Sequence, residues 1–112
     1  MPYTKVINWG QALRLEATLA DGGLRGAVDR ITERLGRGFG SRPTFAELFS
    51  LDDVPTKPIQ RERAYLLLTA LGQDPAAWGL ADFNPPTGWS ETLIDLRTDA
   101  SGWMSRTLQH AA

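Results

Sequence analysis

The stretch "GSRPTFAELFSLDD", residues 40–53, crowds its hydrogen-bonding side chains at one end. Ser41, Arg42 and Thr44 stand at the front and Glu47 follows, while Phe45, Leu48 and Phe49 recur at helical spacing. A short helix in that order turns one apolar face to a core. Its leading end then offers a guanidinium, two hydroxyls and backbone N–H groups that no preceding turn satisfies. Such groups suit phosphate oxygens and base edges. An arginine can take O6 and N7 of guanine together, worth about 1–3 kcal/mol of discrimination, and a glutamate can accept from cytosine N4. Arg42, Thr44 and Glu47 are therefore the candidates for reading bases. Ser41 and the flanking cations Arg25, Arg37, Lys57 and Arg61 are the candidates for holding a phosphate backbone.

The net charge of −1 over 112 residues argues against a strongly basic nucleic-acid binder, but the charges are unevenly spread. Residues 24–46 carry five arginines against Asp29 and Glu33, whereas residues 81–112 carry Arg97 and Arg106 against Asp82, Glu91, Asp95 and Asp99. The middle of the chain can face phosphate and the tail cannot. Hydrophobic residues make up 42% of the chain, enough for one small core without staples. Cysteine is absent, which excludes disulfides and thiolate chemistry and suits a reducing cytoplasm, the expected location. The apolar run "AYLLLTAL" is too short to cross a bilayer, and "MPYTKVINWG" lacks signal-peptide character.

Positioning elements follow from periodicity and punctuation. A first helix is expected from Trp9 to Ala20, with Asn8 as cap, Asp21-Gly22-Gly23 as stop, and a stripe of Ala12, Leu15 and Leu19 widened by Trp9 and Leu13. A second runs from Leu24 to Leu35 with Leu24, Ala27, Val28, Ile31 and Leu35 inward; Arg30 and Arg34 on its other face read as salt-bridge residues. "GRGFG" gives a flexible turn. The third helix, about 43–50, has two readings for its start: Pro43 at the first helical position, or a Thr44–Glu47 capping box. After the loop "LDDVPTKP", a fourth helix over 58–71 is apolar almost all round at its back end and should form the buried centre. Asp74-Pro75 caps a further short helix, "PAAWGL". Strand signals are confined to a faint alternation in "YTKVIN". The expected architecture is an all-α, compact four-to-five-helix bundle with a short C-terminal extension.

Helix, glycine-containing turn, helix, then a long apolar helix is the order of a helix-turn-helix domain. "QALRLEATLADGGLRGAVDRITERLG" resembles the first two helices of the Cro and lambda-repressor type. "SRPTFAELF" stands where that family has its recognition helix, and "RERAYLLLTALGQDPAAWGL" resembles its closing segment. The resemblance covers roughly Trp9 to Leu80, and its style is that of small regulators of actinobacterial phages. Departures are the longer turn "GRGFG", the loop "LDDVPTKP" without the usual glycine, and a proline at the front of the third helix. The resemblance implies sequence-specific binding of double-stranded DNA by a transcription regulator, a phage repressor or Cro-like protein, with the third helix in the major groove. It implies no cofactor.

The tail divides the chain into an expected DNA-binding domain over 1–80 and a linker with C-terminal extension over 81–112. "SETLIDLRTDASGW" reads either as a short helix capped by Ser90 or as a strand-like arm. Trp89, Leu93, Trp103, Met104 and Leu108 exceed what an acidic appendage needs. They form a dimer arm, fold back on the chain's own core, or bind another protein. A homodimer suits paired half-sites. Catalysis finds little support: the one histidine is His110, no His-Ser-Asp set or HExxH is present, and "GRGFGS" lacks the Lys-Ser/Thr of a phosphate loop. The chain is expected not to be an enzyme. The competing class is a protein-interaction module on the same bundle, favoured by the net charge and by Asp52-Asp53 beside the third helix.

Overall fold

A computed structural model describes residues 8–36, 38 and 41–111, with side chains through residue 100. Every regular element among them is helical: α1 Trp9–Leu19, α2 Gly23–Leu35, α3 Arg42–Ala46, α4 Pro58–Ala70 and α5 Ser90–Ala111. Three 3-10 turns join in: Glu47–Ser50 directly after α3, Pro75–Trp78, and Thr87–Trp89 leading into α5. The all-α bundle expected from periodicity is the fold. The faint strand signal "YTKVIN" lies outside the described residues except for Asn8, which caps α1.

The α1 helix begins with a complete capping box. The Asn8 carboxamide accepts from the Gln11 N–H at 2.8 Å, and the Gln11 side chain accepts from the Asn8 N–H at 3.1 Å. The remaining first-turn donors reach across the fold. Trp9 N–H donates to the Asp52 carbonyl at 3.3 Å and Gly10 N–H to the Leu51 carbonyl at 2.9 Å. A helix start that elsewhere faces solvent is here closed by the segment following α3.

That contact rests on glycine. A Cβ at Gly10 would stand 2.6 Å from the Leu51 carbonyl oxygen and closer still to that of Phe49. A matching contact lies on the other side of the same segment. Gly79 adopts φ +91°, and a Cβ there would meet Val54 Cγ2 at 2.5 Å. Each glycine follows a buried tryptophan. The Trp9 and Trp78 rings meet edge to face with centroids 6.0 Å apart, and Trp9 Nε1 donates to the Trp78 carbonyl at 3.0 Å. Two Trp-Gly pairs, 69 residues apart, thus grip residues 49–54 between them.

This grip sets which face of α1 is inside. Trp9, Ala12, Leu13 and Ala17 are buried, whereas Leu15 and Leu19 are 50% and 63% exposed. The expected stripe of Ala12, Leu15 and Leu19 is therefore corrected. Trp9 has the most apolar surface to remove from water, and Gly10 must face the 49–54 segment, so the helix turns away from Leu15 and Leu19.

Ser41 precedes α3 in an extended conformation, and Pro43 takes the second helical position. The Thr44–Glu47 capping box is not formed: Thr44 is inside the helix and Glu47 opens the 3-10 turn. Proline within the first turn needs no N–H partner, so the helix starts ahead of it, closing with Phe45 N–H to the Ser41 carbonyl at 3.0 Å. Phe45 and Leu48 are buried. The α4 helix buries Ala64 and every residue from Leu66 to Ala70. It ends in a Schellman turn, with Gln73 N–H on the Leu68 carbonyl and Gly72, at φ +79°, on that of Thr69.

The tail forms a single 22-residue helix, neither a short helix nor a strand-like arm. Trp89, Leu93 and Leu96 join the same core cluster as Trp9, so one core draws on both sides of residue 80. Trp89 and Leu93, for which a dimer arm, folding back on the chain's own core and binding another protein were open, are 5% exposed each within a single chain and so belong to its own core. Burial of a tryptophan and two leucines on α2 and α4 outweighs exposing them in wait for a partner. The side chains of Trp103, Met104 and Leu108 lie outside the described residues.

Two glycine substitutions should differ in sign. Gly10→Ala should destabilise by about 2 kcal/mol or more, because its methyl meets backbone carbonyls that cannot move without breaking the α1 cap. Gly26→Ala in α2, where a Cβ finds nothing nearer than 3.5 Å, should stabilise by about 0.5–1 kcal/mol, the usual helix gain. Urea unfolding of both variants checks the pair.

Candidate nucleic-acid interface

The α2 helix starts at Gly23 after Gly22, which takes the left-handed conformation at φ +82°. Its first turn carries Leu24 and Arg25 beside the front of α3. Leu24, Arg25, Arg42, Pro43 and Ala46 line one shallow recess of about 370 Å³. Arg25 and Arg42 are both exposed, and among the described residues neither side chain makes a hydrogen bond or an ion pair. Two guanidiniums that stand 17 residues apart in sequence therefore wall one apolar-floored depression, with the polar front of α3 beside it.

Other candidates sit differently. Thr44 is half-buried, and its hydroxyl pairs with that of Ser41 at 3.1 Å, so these two act as one small hydroxyl cluster. Glu47 is exposed where the helix tightens into the 3-10 turn, and its carbonyl accepts from the Ser50 hydroxyl at 2.8 Å. Lys57 is exposed at the residue capping α4 and does not line the recess. Arg37 lies outside the described residues.

Arg61 departs from its expected role on a phosphate backbone. Its guanidinium donates to the Pro55 carbonyl at 3.1 Å and forms an ion pair with Asp82, and its side chain is 19% exposed. It ties the loop before α4 to the segment after Leu80. Sequence spacing could not show this, because Asp82 stands 21 residues away.

The two arginines on the far face of α2 also have internal work. Arg34 reaches Asp99 at 2.9 Å, Asp95 at 3.7 Å and Glu33 at 4.0 Å, fastening α5 to α2. Arg30, expected in a salt bridge, instead donates to the Ala70 carbonyl at 2.9 Å at the C-terminal end of α4, where the helix dipole favours a cation. Among the described arginines in residues 24–46, Arg25 and Arg42 are thus the two whose side chains are free for an external anion.

The neighbouring aspartates are partly engaged as well. The Asp52 carboxylate accepts from the Asn8 carboxamide at 3.3 Å, and that of Asp53 accepts from the Val54 N–H at 2.8 Å. The first adds to the grip on residues 49–54, and the second lies within that segment. Neither aspartate lines the recess between α2 and α3. Leu24, Pro43 and Ala46 also line the recess, although their residue types alone do not mark them as site residues. The available signal was Ala46 itself, a small residue one helical turn after Arg42.

Among the described residues, no group of three or more His, Cys, Asp or Glu side chains is arranged to hold a metal ion, and no helix is long and apolar enough to cross a membrane.

These assignments separate the arginines by unfolding. Arg61→Ala should lower stability by about 1–2 kcal/mol through loss of its loop contacts, a figure reduced by the exposure of Asp82. Arg25→Ala and Arg42→Ala should stay within about 0.5 kcal/mol of the parent. Denaturant midpoints of the three variants test the division.

Comparison of the chain with family models, with curated proteins and with solved structures gave no match.

Proposed function

We propose that this chain is a sequence-specific, double-stranded DNA-binding transcription regulator of the Cro or phage-repressor kind, docking through the starts of α2 and α3. The observation that carries this reading is the recess walled by Arg25 and Arg42, two guanidiniums without internal partners. In this account α3 enters the major groove by its front end. Arg42 contacts a base edge, Glu47 faces an exocyclic amine, and the Ser41–Thr44 hydroxyl pair faces phosphate or base. Arg25 and Lys57 hold the backbone on either side.

Only the leading turn of a recognition helix needs to reach bases. The run of α3 and its 3-10 turn rises roughly 15 Å, which matches a groove about 12 Å wide. The net charge of −1 does not oppose this, because charges farther than about 8–10 Å are screened at physiological salt. Few phosphate contacts should make the salt dependence shallow, with a slope of log K against log salt of roughly −2 to −3.

A second reading, a protein-interaction module, is favoured by Leu15 and Leu19, exposed one turn apart on the outside of α1. Binding to duplex fragments from the neighbouring genome and to random duplex, over a salt series, separates the two. Arg42→Ala should cut discrimination between operator and random DNA by about 1–3 kcal/mol. Lys57→Ala should weaken both equally and flatten the salt slope by about 1. Equal losses in the two variants contradict the assigned roles. No binding to any fragment at low salt rejects the DNA reading in favour of the interaction module.

A further inference from the structure

A larger recess lies away from the DNA-facing residues, between the C-terminal end of α4, the 3-10 turn Pro75–Trp78, the segment 80–83 and α5. It encloses about 420 Å³, within the range of small-molecule sites. One wall is aromatic: the Tyr65 and Phe83 rings have centroids 5.1 Å apart at 36°. Leu80 and Thr69, each 1% exposed, lie beneath. The Thr69 hydroxyl already donates to the Tyr65 carbonyl at 2.8 Å, so the floor asks for no polar partner.

Two charges of opposite sign line the same recess without pairing. Asp74 accepts from the Ala76 N–H at 3.1 Å through one carboxylate oxygen, and it forms no ion pair among the described residues. The Arg97 side chain, on α5, makes neither a hydrogen bond nor an ion pair among them. The aromatic rings and the opposed charges come from four separate parts of the chain: Tyr65 from the body of α4, Asp74 from the turn after it, Phe83 from the segment 80–83, and Arg97 from α5.

We propose that this recess binds a small zwitterion with a flat apolar body, the chemical class of the aromatic amino acids. The Arg97 guanidinium takes the ligand carboxylate with two parallel N–H donors, the Asp74 carboxylate takes the ammonium, and the flat body stacks on the Tyr65–Phe83 wall. A bare carboxylate would meet repulsion from Asp74, and a bare amine repulsion from Arg97. The site is independent of the DNA reading and stands or falls without it.

The test is a heteronuclear NMR titration of the full chain with L-phenylalanine, compared with 3-phenylpropionate, which lacks the ammonium, and 2-phenylethylamine, which lacks the carboxylate. Saturable shifts are expected at the amides of Gly72, Gln73, Ala76 and Phe83. Each truncated ligand should bind about tenfold more weakly, as a lost charge-assisted hydrogen bond implies. Asp74→Asn and Arg97→Gln should each weaken phenylalanine by a similar factor. Both variants should fold, since asparagine caps a helix as well as aspartate and glutamine suits a helix interior. Absence of saturable shifts at those amides with millimolar phenylalanine overturns the proposal, as does equal binding of all three ligands.

Discussion

Residues 49–54 are held by backbone contacts that only glycine permits. Gly10 lets the first turn of α1 close on the Leu51 and Asp52 carbonyls, and Gly79 makes room for Val54 on the other side. The Trp9–Trp78 edge-to-face contact and the indole hydrogen bond fix the two glycines relative to each other. The α1 side of the contact is stiff because what faces Gly10 is backbone carbonyl, which has no rotamer to change, and the Trp9 ring beside it is fully buried. Since the gripped segment is the direct continuation of α3, it sets the end of that helix. Phe45 and Leu48 then set its roll by burying themselves in the core.

A short helix fixed in this way presents its front end to solvent beside the first turn of α2. The charge pattern of the bundle then becomes intelligible. Arg30, Arg34 and Arg61 each reach across to another element, as a helix-end cap, an α2–α5 fastening and a loop tie. Arg25 and Arg42 have no such duty and share one recess. A chain of net charge −1 can thus hold a local pair of free cations, because Arg34 and Arg61 are paired with aspartates on other elements while Arg25 and Arg42 are not.

The sequence was informative where structure is local. The period of α2, the Asn8 cap, the Gly72 stop and the Asp74-Pro75 turn all follow from residues within a few positions of one another, and each element stands where those signals put it. Legibility failed where a distant partner decides. Leu15 and Leu19 had helical spacing but lost the inner face of α1 to Trp9 and Gly10, whose partners lie about 40 to 70 residues away. Arg61 looked like a free cation until Asp82 and Pro55 are seen beside it. Trp89 and Leu93 looked surplus because nothing local says that α5 folds back onto α2 and α4. Within the candidate site, Arg25 and Arg42 were nameable from type alone, but their common recess depends on how α2 and α3 pack.

Amide hydrogen exchange at Gly10 tests this account most directly, since that N–H bridges α1 to the Leu51 carbonyl. If residues 49–54 are gripped as described, the Gly10 amide exchanges only with global unfolding, at the rate of the buried α4 amides of Leu67 and Leu68. Exchange of Gly10 orders of magnitude faster, with α4 still protected, would mean that α3 and its continuation are loosely docked, and the account of the site would fail.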